Sequence, residues 1–193
     1  MRVIAGEFKG MPLRGPEGRQ VRPTTDRVKE AMFSLLGLNI GNYPAVDLFT
    51  GSGALGIESL SRGCPVCIFV DNHKSSLNTV KLNLHQCRVP ETSYELWKMD
   101  WKQALTRISR LHADVGWVFV DPPYALDLWT RVLQQLDMAG MRVHNGVVCE
   151  HPKDILLPED VAHFHLLKRR TYGDIAVSIY AQHRNCQKKD DAL

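Results

Sequence analysis

The sequence predicts an α/β domain in which a mostly parallel sheet is covered by helices on both faces. Short, almost continuously apolar segments alternate with segments whose apolar residues recur at helical spacing, a pattern typical of such sheets. Two predicted strands near the end have no helix between them, so the last pair should be an antiparallel hairpin. The 193 residues suit one domain, and 44% hydrophobic and 23% charged residues are ordinary for a globular chain.

The predicted elements follow a segment rich in glycine and proline. That segment, residues 1–23, is expected to form a basic β-hairpin or loop annex. A helix capped by Thr24 or Thr25 should follow, with an apolar face from Val28 to Leu36. The other helices are predicted at residues 54–62, 75–86, 102–111 and 126–138. The strands are predicted at residues 45–49, 66–70, 94–98, 115–120, 146–150, 164–168 and 175–180. The main domain is therefore expected to cover residues 24–182, followed by a polar tail at 183–193.

Composition and cysteine usage narrow the class of protein further. No stretch approaches the roughly 18 consecutive apolar residues that span a bilayer, and residues 1–10 lack the apolar region of a secretion signal. A cytoplasmic protein with reduced thiols is expected, because the five cysteines are an odd number spread along the chain. Cys64 and Cys67 have CxxC spacing but precede a strand and have no second ligand pair, which favours structural cysteines.

The formal net charge of +3 hides an uneven distribution. Basic residues are in excess in residues 1–30 and 165–193, whereas acidic residues are in excess between these two segments. Basic ends of this kind indicate a polyanionic partner, but an ordinary solvated surface explains the same charge count. Charge alone therefore leaves both interpretations open.

Glycine and acidic residues follow the first three predicted strands. Gly51, Gly53 and Gly56 fit the GxGxxG fingerprint between a strand and a helix, where a ligand can approach the backbone and face helix N–H groups. Asp71 ends the second strand at the spacing of a carboxylate that accepts both hydroxyls of a ribose. Asp100 follows the third strand at the same edge of the sheet. The pattern suits either a dinucleotide or S-adenosylmethionine.

A second motif, Asp121-Pro122-Pro123-Tyr124, follows the fourth predicted strand. The prolines fix two φ angles and leave their carbonyls as acceptors, while the aspartate adds a carboxylate and the tyrosine an aromatic face. Such a turn can stack a planar heterocycle and accept hydrogen bonds from its exocyclic amine. Those bonds favour a pyramidal nitrogen whose lone pair can attack a methyl sulfonium. A rigid strand-end turn is the structural alternative.

Together the two motifs resemble those of S-adenosylmethionine-dependent amino-methyltransferases of nucleic acids. Residues 2–6 and 22–30 make the chain similar to the RsmD family, bacterial methyltransferases of a guanine N2 in small-subunit (16S) ribosomal RNA. The resemblance covers residues 1 to about 182. It implies a Rossmann-like, seven-stranded class I methyltransferase fold with a reversed last hairpin, and S-adenosylhomocysteine as product. A monomer that requires no metal is expected.

The resemblance also implies roles for individual residues. The expected catalytic residues are Asp121, Pro122 and Tyr124. The expected cofactor-binding residues are Asp47, Phe49, Gly51, Ser52, Gly53, Gly56, Asp71 and Asp100. Within that set, Asp47 and the glycines would line the methionine end, Asp71 would hold the ribose, and Asp100 would contact the adenine amine. The expected substrate-binding residues are Arg14, Arg19, Arg22, Thr24, Thr25, Arg27 and Pro123.

Three alternative functions remain open at this point. The motif around Asp121 serves an adenine N6 amine as well as a guanine N2, so a methyltransferase of adenine in DNA or RNA is the nearest competitor. An NAD-dependent oxidoreductase would use the same glycine loop but leaves the second motif unexplained. An RNA-binding module with a vestigial cofactor fold is the non-enzymatic possibility. Trp97 and Trp101 flank Asp100 and could either stack on an adenine or pack in the core.

Overall fold

A computed structural model of the chain describes residues 1–15, 26–37, 40–112, 114–123 and 128–183. The strands are β1 (Ala45–Asp47), β2 (Cys67–Asp71), β3 (Tyr94–Lys98), β4 (Asp114–Val120), β5 (Arg142–Pro152), β6 (Asp160–Val161), β7 (Phe164–Tyr172) and β8 (Ile175–Gln182). The helices are α1 (Asp26–Leu36), α2 (Ala54–Ser61), α3 (Lys74–Gln86), α4 (Trp101–Leu111) and α5 (Trp129–Met138), with a 3-10 turn at Glu91–Ser93.

The strands form a single sheet in the order β3-β2-β1-β4-β5-β8-β7-β6. The first five are parallel, whereas β8 runs antiparallel to both β5 and β7. The chain winds outward from β1 to β3 and then returns to place β4 on the other side of β1. Open α/β sheets bind ligands outside the carboxyl ends of the strands at such a reversal of strand order. The topology therefore predicts a ligand site at the loops after β1, β2 and β4.

The predicted α/β class and the antiparallel last hairpin are confirmed, and the main differences concern the strands that follow α5. Strand β5 spans Arg142–Pro152 instead of the predicted residues 146–150. The described residues contain eight strands instead of the predicted seven, because the two-residue β6 pairs with the start of β7. A strand of two residues has too few positions to show an alternating pattern. Strand β7 continues past the predicted end at residue 168 to Tyr172, and the additional part includes Arg169 and Arg170. Its outer half extends beyond the short β6, so polar side chains are tolerated there.

Two apolar layers cover the sheet. One contains side chains of α1, α2 and α3, and includes a tilted contact between Phe33 and Phe119 with ring centroids 5.6 Å apart. The other contains side chains of α4 and α5, with Trp129 fully buried.

Cys64 and Cys67 are buried in the first layer, and burial raises the pKa of the Cys67 thiol, an environment that suits structural cysteines. Among the described helices, none combines the length and apolar character needed to cross a bilayer.

The N-terminal segment, residues 1–15, packs onto this first layer. Its two arms approach each other at an antiparallel bridge between Arg2 and Pro12, and Val3 and Leu13 are buried in the layer that contains α1, α2 and α3. The division at residue 23 and the tail at 183–193 stay predictions, because residues 16–25 and 184–193 lie outside the described ranges.

A buried carboxylate on α2 fixes this segment in place. The two Glu58 oxygens accept hydrogen bonds from the backbone N–H groups of Ile4 (2.8 Å) and Ala5 (3.0 Å). They also lie 3.2 Å from the Lys29 ammonium and 2.9 Å from the Arg62 guanidinium. The Glu58 and Lys29 side chains are both 0% exposed. A carboxylate has about four acceptor positions, so the site occupies all of them.

Replacing this carboxylate should therefore destabilise the fold strongly. In Glu58→Ala the buried ammonium of Lys29 loses its anionic partner, which typically costs about 3–5 kcal/mol. Urea unfolding measures the change in the free energy of unfolding. Arg142→Ala is the matched control, because its ion pair with Asp114 is largely exposed and should contribute less than about 1 kcal/mol. Equal losses in the two variants would contradict the role assigned to Glu58.

Candidate cofactor and substrate site

Four aspartates lie at the carboxyl edge of the parallel strands. Asp47 is the last residue of β1 and Asp71 is the last residue of β2. Asp100 follows β3 and Asp121 follows β4. Because parallel strands end at the same edge of a sheet, the structure brings the predicted acidic residues to one side of the molecule.

Asp47 connects β1 to the helix that follows it. One carboxylate oxygen, Oδ2, accepts hydrogen bonds from the Gly56 N–H (3.0 Å) and the Thr50 hydroxyl (3.1 Å). The side chain is buried, and burial raises the Asp47 pKa from its ordinary 3.8 to about 6. The two hydrogen bonds act in the opposite direction, because they stabilise the ionised form. Asp47 thus orients the first turn of α2.

The glycine loop between β1 and α2 is held by Asp71. Gly51 has a positive φ of 51°, and its N–H donates to Asp71 Oδ2 at 3.1 Å. The other oxygen, Oδ1, accepts the His73 N–H at 2.8 Å. Gly53 also has a positive φ, 79°, and it caps the N-terminus of α2. The carboxylate expected to hold a ribose is therefore fixed against the loop expected to hold the rest of the cofactor.

Packing, as well as the GxGxxG fingerprint, requires a glycine at position 56. A Cβ atom at this position would lie 2.3 Å from Phe69 Cε1 and 2.7 Å from Cys67 Sγ. Only a residue without a side chain lets α2 approach β2 so closely, which is the role of the third glycine in such fingerprints. Its N–H is engaged by Asp47. The structure therefore places Gly56 beneath the loop.

Asp100 and the two tryptophans beside it have local structural roles. The exposed Asp100 caps α4, because its Oδ1 accepts the Lys102 N–H at 2.9 Å. Trp97 and Trp101 are both buried in the layer that contains α4 and α5, so they pack in the core. The partly buried Phe49 contacts Trp101, with ring centroids 6.4 Å apart. Phe49 thereby joins the end of β1 to the start of α4.

The proline turn lies next to the glycine loop at the reversal of strand order. β1 pairs with β4 in parallel, with Asp47 opposite Phe119, so Asp121 emerges close to the end of β1. Asp121 is half-buried, Pro122 is buried and Pro123 is exposed. Tyr124 lies outside the described residues. The turn therefore presents a carboxylate and a proline at the same edge as the glycine loop.

The predicted substrate residues are only partly described. Arg14 is exposed beside α3, and Arg27 is exposed in the first turn of α1. The other residues predicted for this role (Arg19, Arg22, Thr24 and Thr25) lie outside the described ranges. The backbone of Arg14 is held by Asn83 Oδ1, which accepts its N–H at 2.9 Å. Asn83 and Glu58 are not among the site residues predicted from the sequence. Both are polar residues on a helical face that the spacing of apolar residues predicts to be buried, and this pattern could have identified them.

Three possible metal ligands lie together away from the glycine loop and the proline turn. Asp160, His165 and His183 bring ligand atoms within 4.8 Å of one another at the β6–β7 corner. The group is partly exposed, and Asp160 Oδ1 already lies within hydrogen-bond distance, 2.7 Å, of His165 Nδ1. Because β8 is antiparallel and ends at Gln182, this corner is at the edge opposite to the glycine loop. It is separate from the candidate site.

Comparison with known proteins gives one consistent result. A family model described as "Conserved hypothetical protein 95" matches residues 1–181. YlbH of Bacillus subtilis is 38% identical over 93% of this chain and 98% of its own length. The "Ribosomal RNA small subunit methyltransferase D" of Haemophilus influenzae is 32% identical over 93% of each chain. The solved structure of Escherichia coli yhhF is 26% identical, with a TM-score of 0.78 over 95% of this chain and 98% of that one.

The raised pKa of Asp47 predicts a pH dependence of stability. The native state takes up a proton as the pH falls through about 6, whereas the unfolded chain does so only near 3.8. This contribution therefore favours the native state at low pH and is lost as the pH rises through 6. Between pH 7 and pH 5 it should amount to about 1 kcal/mol. Urea unfolding of the wild type and Asp47→Asn at both pH values measures it. An identical pH dependence in the two proteins would contradict this assignment.

Proposed function

This chain belongs to the family described as Conserved hypothetical protein 95, and from that premise we propose that it methylates the exocyclic N2 amine of a guanine in small-subunit (16S) ribosomal RNA. The methyl donor is S-adenosylmethionine, and the protein acts as a cytoplasmic monomer without a metal. The observation that carries the proposal is the Asp121-Pro122-Pro123 turn, which lies at the end of β4 beside the glycine loop after β1. The name of the Haemophilus influenzae relative supports the RNA substrate.

The residues around the glycine loop suit S-adenosylmethionine. Asp71 offers carboxylate oxygens for ribose hydroxyls, and it is already oriented by the Gly51 N–H. A Cβ at Gly51 would meet no atom closer than 4.0 Å, so the backbone at this position is open to a ligand. Asp100 lies at the next strand end, where it can reach an adenine amine. The other proposed cofactor contacts are Asp47, Phe49, Ser52, Gly53 and Gly56.

The proline turn would prepare the target amine for attack. The Asp121 carboxylate and the Pro122 carbonyl accept hydrogen bonds from the amine, which favours a pyramidal nitrogen with an available lone pair. The nitrogen would then form a bond to the methyl carbon as the carbon–sulfur bond breaks, sulfur would keep the electron pair, and the methylated amine would lose one proton to water. Much of the rate enhancement would come from holding nitrogen, carbon and sulfur in line.

The substrate base must leave its stack to reach this turn. A guanine N2 inside a helix cannot be approached in line, so the base is flipped out or lies in a loop, at a cost of a few kcal/mol. Tyr124 and Pro123 supply faces that replace the lost stacking. Arg14, Arg19, Arg22 and Arg27, with Thr24 and Thr25, provide contacts to the phosphate backbone. Such contacts give affinity and position more than sequence choice.

Removing the carboxylate of the turn should stop methyl transfer. We expect Asp121→Ala to lower turnover by about 10²–10³-fold or more, while the dissociation constant of S-adenosylhomocysteine stays within about twofold. Transfer of a labelled methyl group to small-subunit rRNA measures turnover, and mass analysis of the nucleosides identifies the product. Asp114→Ala, at the opposite end of β4, should keep its turnover. Wild-type turnover in Asp121→Ala would reject the mechanism, and N6-methyladenosine as product would support the adenine alternative.

The arginines of residues 14–22 should control the salt dependence of RNA binding. Each phosphate contact to single-stranded RNA contributes about 0.7 to the slope of log affinity against log salt concentration. Replacing Arg14, Arg19 and Arg22 together by alanine should therefore reduce the slope by about 2. Arg142→Ala is the control, because Arg142 begins β5 at the opposite edge of the sheet. An unchanged slope in the triple variant would place these three arginines outside the RNA interface.

A further inference from the structure

Asn83 joins the N-terminal segment to the glycine loop. It lies on α3 and is 0% exposed. Its Oδ1 accepts the Arg14 N–H at 2.9 Å, and its Nδ2 donates to the Arg14 carbonyl at 3.0 Å and to the Ser52 carbonyl at 2.9 Å. One side chain therefore binds the backbone of a proposed RNA-contacting residue and the backbone of the proposed cofactor loop.

The chemistry of the amide makes this connection specific. A carboxamide carries two N–H donors and one carbonyl acceptor, and all three functions are engaged here. The pairing with both polar groups of Arg14 resembles that of a neighbouring strand, while the remaining donor reaches the loop. Because Asn83 itself is buried and the site is partly buried, losing the amide leaves the Arg14 N–H and the Ser52 carbonyl without this partner, which is costly. A change in the loop therefore alters the support of Arg14 directly.

A second contact and the packing of α3 strengthen the connection. The Ser52 hydroxyl lies 3.7 Å from the Met1 sulfur, so the loop touches the N-terminal segment at another point. The methyl groups of Val80, one helical turn before Asn83, would lie 3.1 Å from a Cβ at Gly53. Helix α3 thus packs against the loop that its own asparagine binds.

We propose that Asn83 is a positioning residue that couples cofactor binding to RNA binding. When S-adenosylmethionine binds the glycine loop, the Ser52–Asn83–Arg14 connection holds the N-terminal segment in the conformation that contacts RNA phosphate. Coupling between two binding sites is reciprocal, so RNA must raise the affinity for the cofactor by the same factor. This inference rests on the function proposed above and adds that the affinity for each ligand depends on whether the other ligand is bound.

Gln86 provides a matched control on the same helix. It lies one turn beyond Asn83, and its Nε2 donates to the Pro12 carbonyl at 3.0 Å. Gln86→Ala therefore removes a hydrogen bond between α3 and the same N-terminal segment but leaves the Asn83 bond to the loop in place. Comparing the two variants separates loss of contact with the segment from loss of the connection to the loop.

The decisive quantity is the coupling factor, the ratio of the S-adenosylhomocysteine dissociation constants without and with saturating small-subunit rRNA transcript. Calorimetric titration should give a factor of about 5 or more in the wild type, a typical value for coupled sites, and in Gln86→Ala. In Asn83→Ala it should fall to within about twofold of unity. A factor near unity in the wild type, or one retained in Asn83→Ala, would overturn the coupling while leaving the proposed function intact. Absence of S-adenosylhomocysteine binding to the wild type would overturn both.

A measurement on the wild type covers the case in which Asn83→Ala does not fold. Amide hydrogen exchange should slow at Arg14 when S-adenosylhomocysteine is added without RNA, because the Arg14 N–H is held by Asn83. The Lys81 amide, in the middle of α3, serves as the reference for changes in global stability. Slowing at Arg14 beyond that at Lys81 supports the coupling, and equal changes at the two amides contradict it.

Discussion

The hydrogen bond from the Gly56 N–H to Asp47 is the contact on which the glycine loop depends. It fixes the first turn of α2 relative to the end of β1, and the intervening residues must then close a short, tight loop. The carboxylate is buried, which disfavours its ionised form, but Gly56 and Thr50 donate to it and the start of α2 places backbone N–H groups nearby. A buried acid at this position is therefore stabilised by the backbone geometry that it helps to create.

The rest of the carboxyl edge follows from this closed loop. With Gly51 turned into a positive φ, its N–H points to Asp71 on the neighbouring strand. The parallel pairing of β1 with β2 and with β4 brings Asp71 and Asp121 to opposite sides of the loop. The residues proposed to hold the methyl donor and those proposed to hold the acceptor therefore lie together where the strand order reverses.

Much of this arrangement could be predicted because it depends on local patterns. Apolar runs and helical spacing locate β1 to β4 and the helices between them to within a few residues, and the glycines and acids of the edge have fixed positions relative to those strands. The polar connections could not be predicted in the same way. Glu58 and Asn83 bind residues more than 50 positions away in the chain, so no short window of sequence contains both partners. The predicted β7 is too short because the missing part, Arg169 to Tyr172, has the polarity of an exposed edge.

Glu58 and Asn83 both attach the backbone of the N-terminal segment to the helical layer, but they do so with different chemistry. Glu58 brings a charge into the interior, and the site must then supply Lys29, Arg62 and two backbone N–H groups to offset the loss of hydration. Asn83 is neutral, so three backbone partners are sufficient and no counter-ion is buried with it. The charged connection fixes the start of the N-terminal segment rigidly, since breaking it exposes several unpaired groups at once. The neutral connection at Arg14 costs less to rearrange, and it is the one that contacts the glycine loop. A link that must respond to a ligand is better built from such an amide than from a buried ion pair.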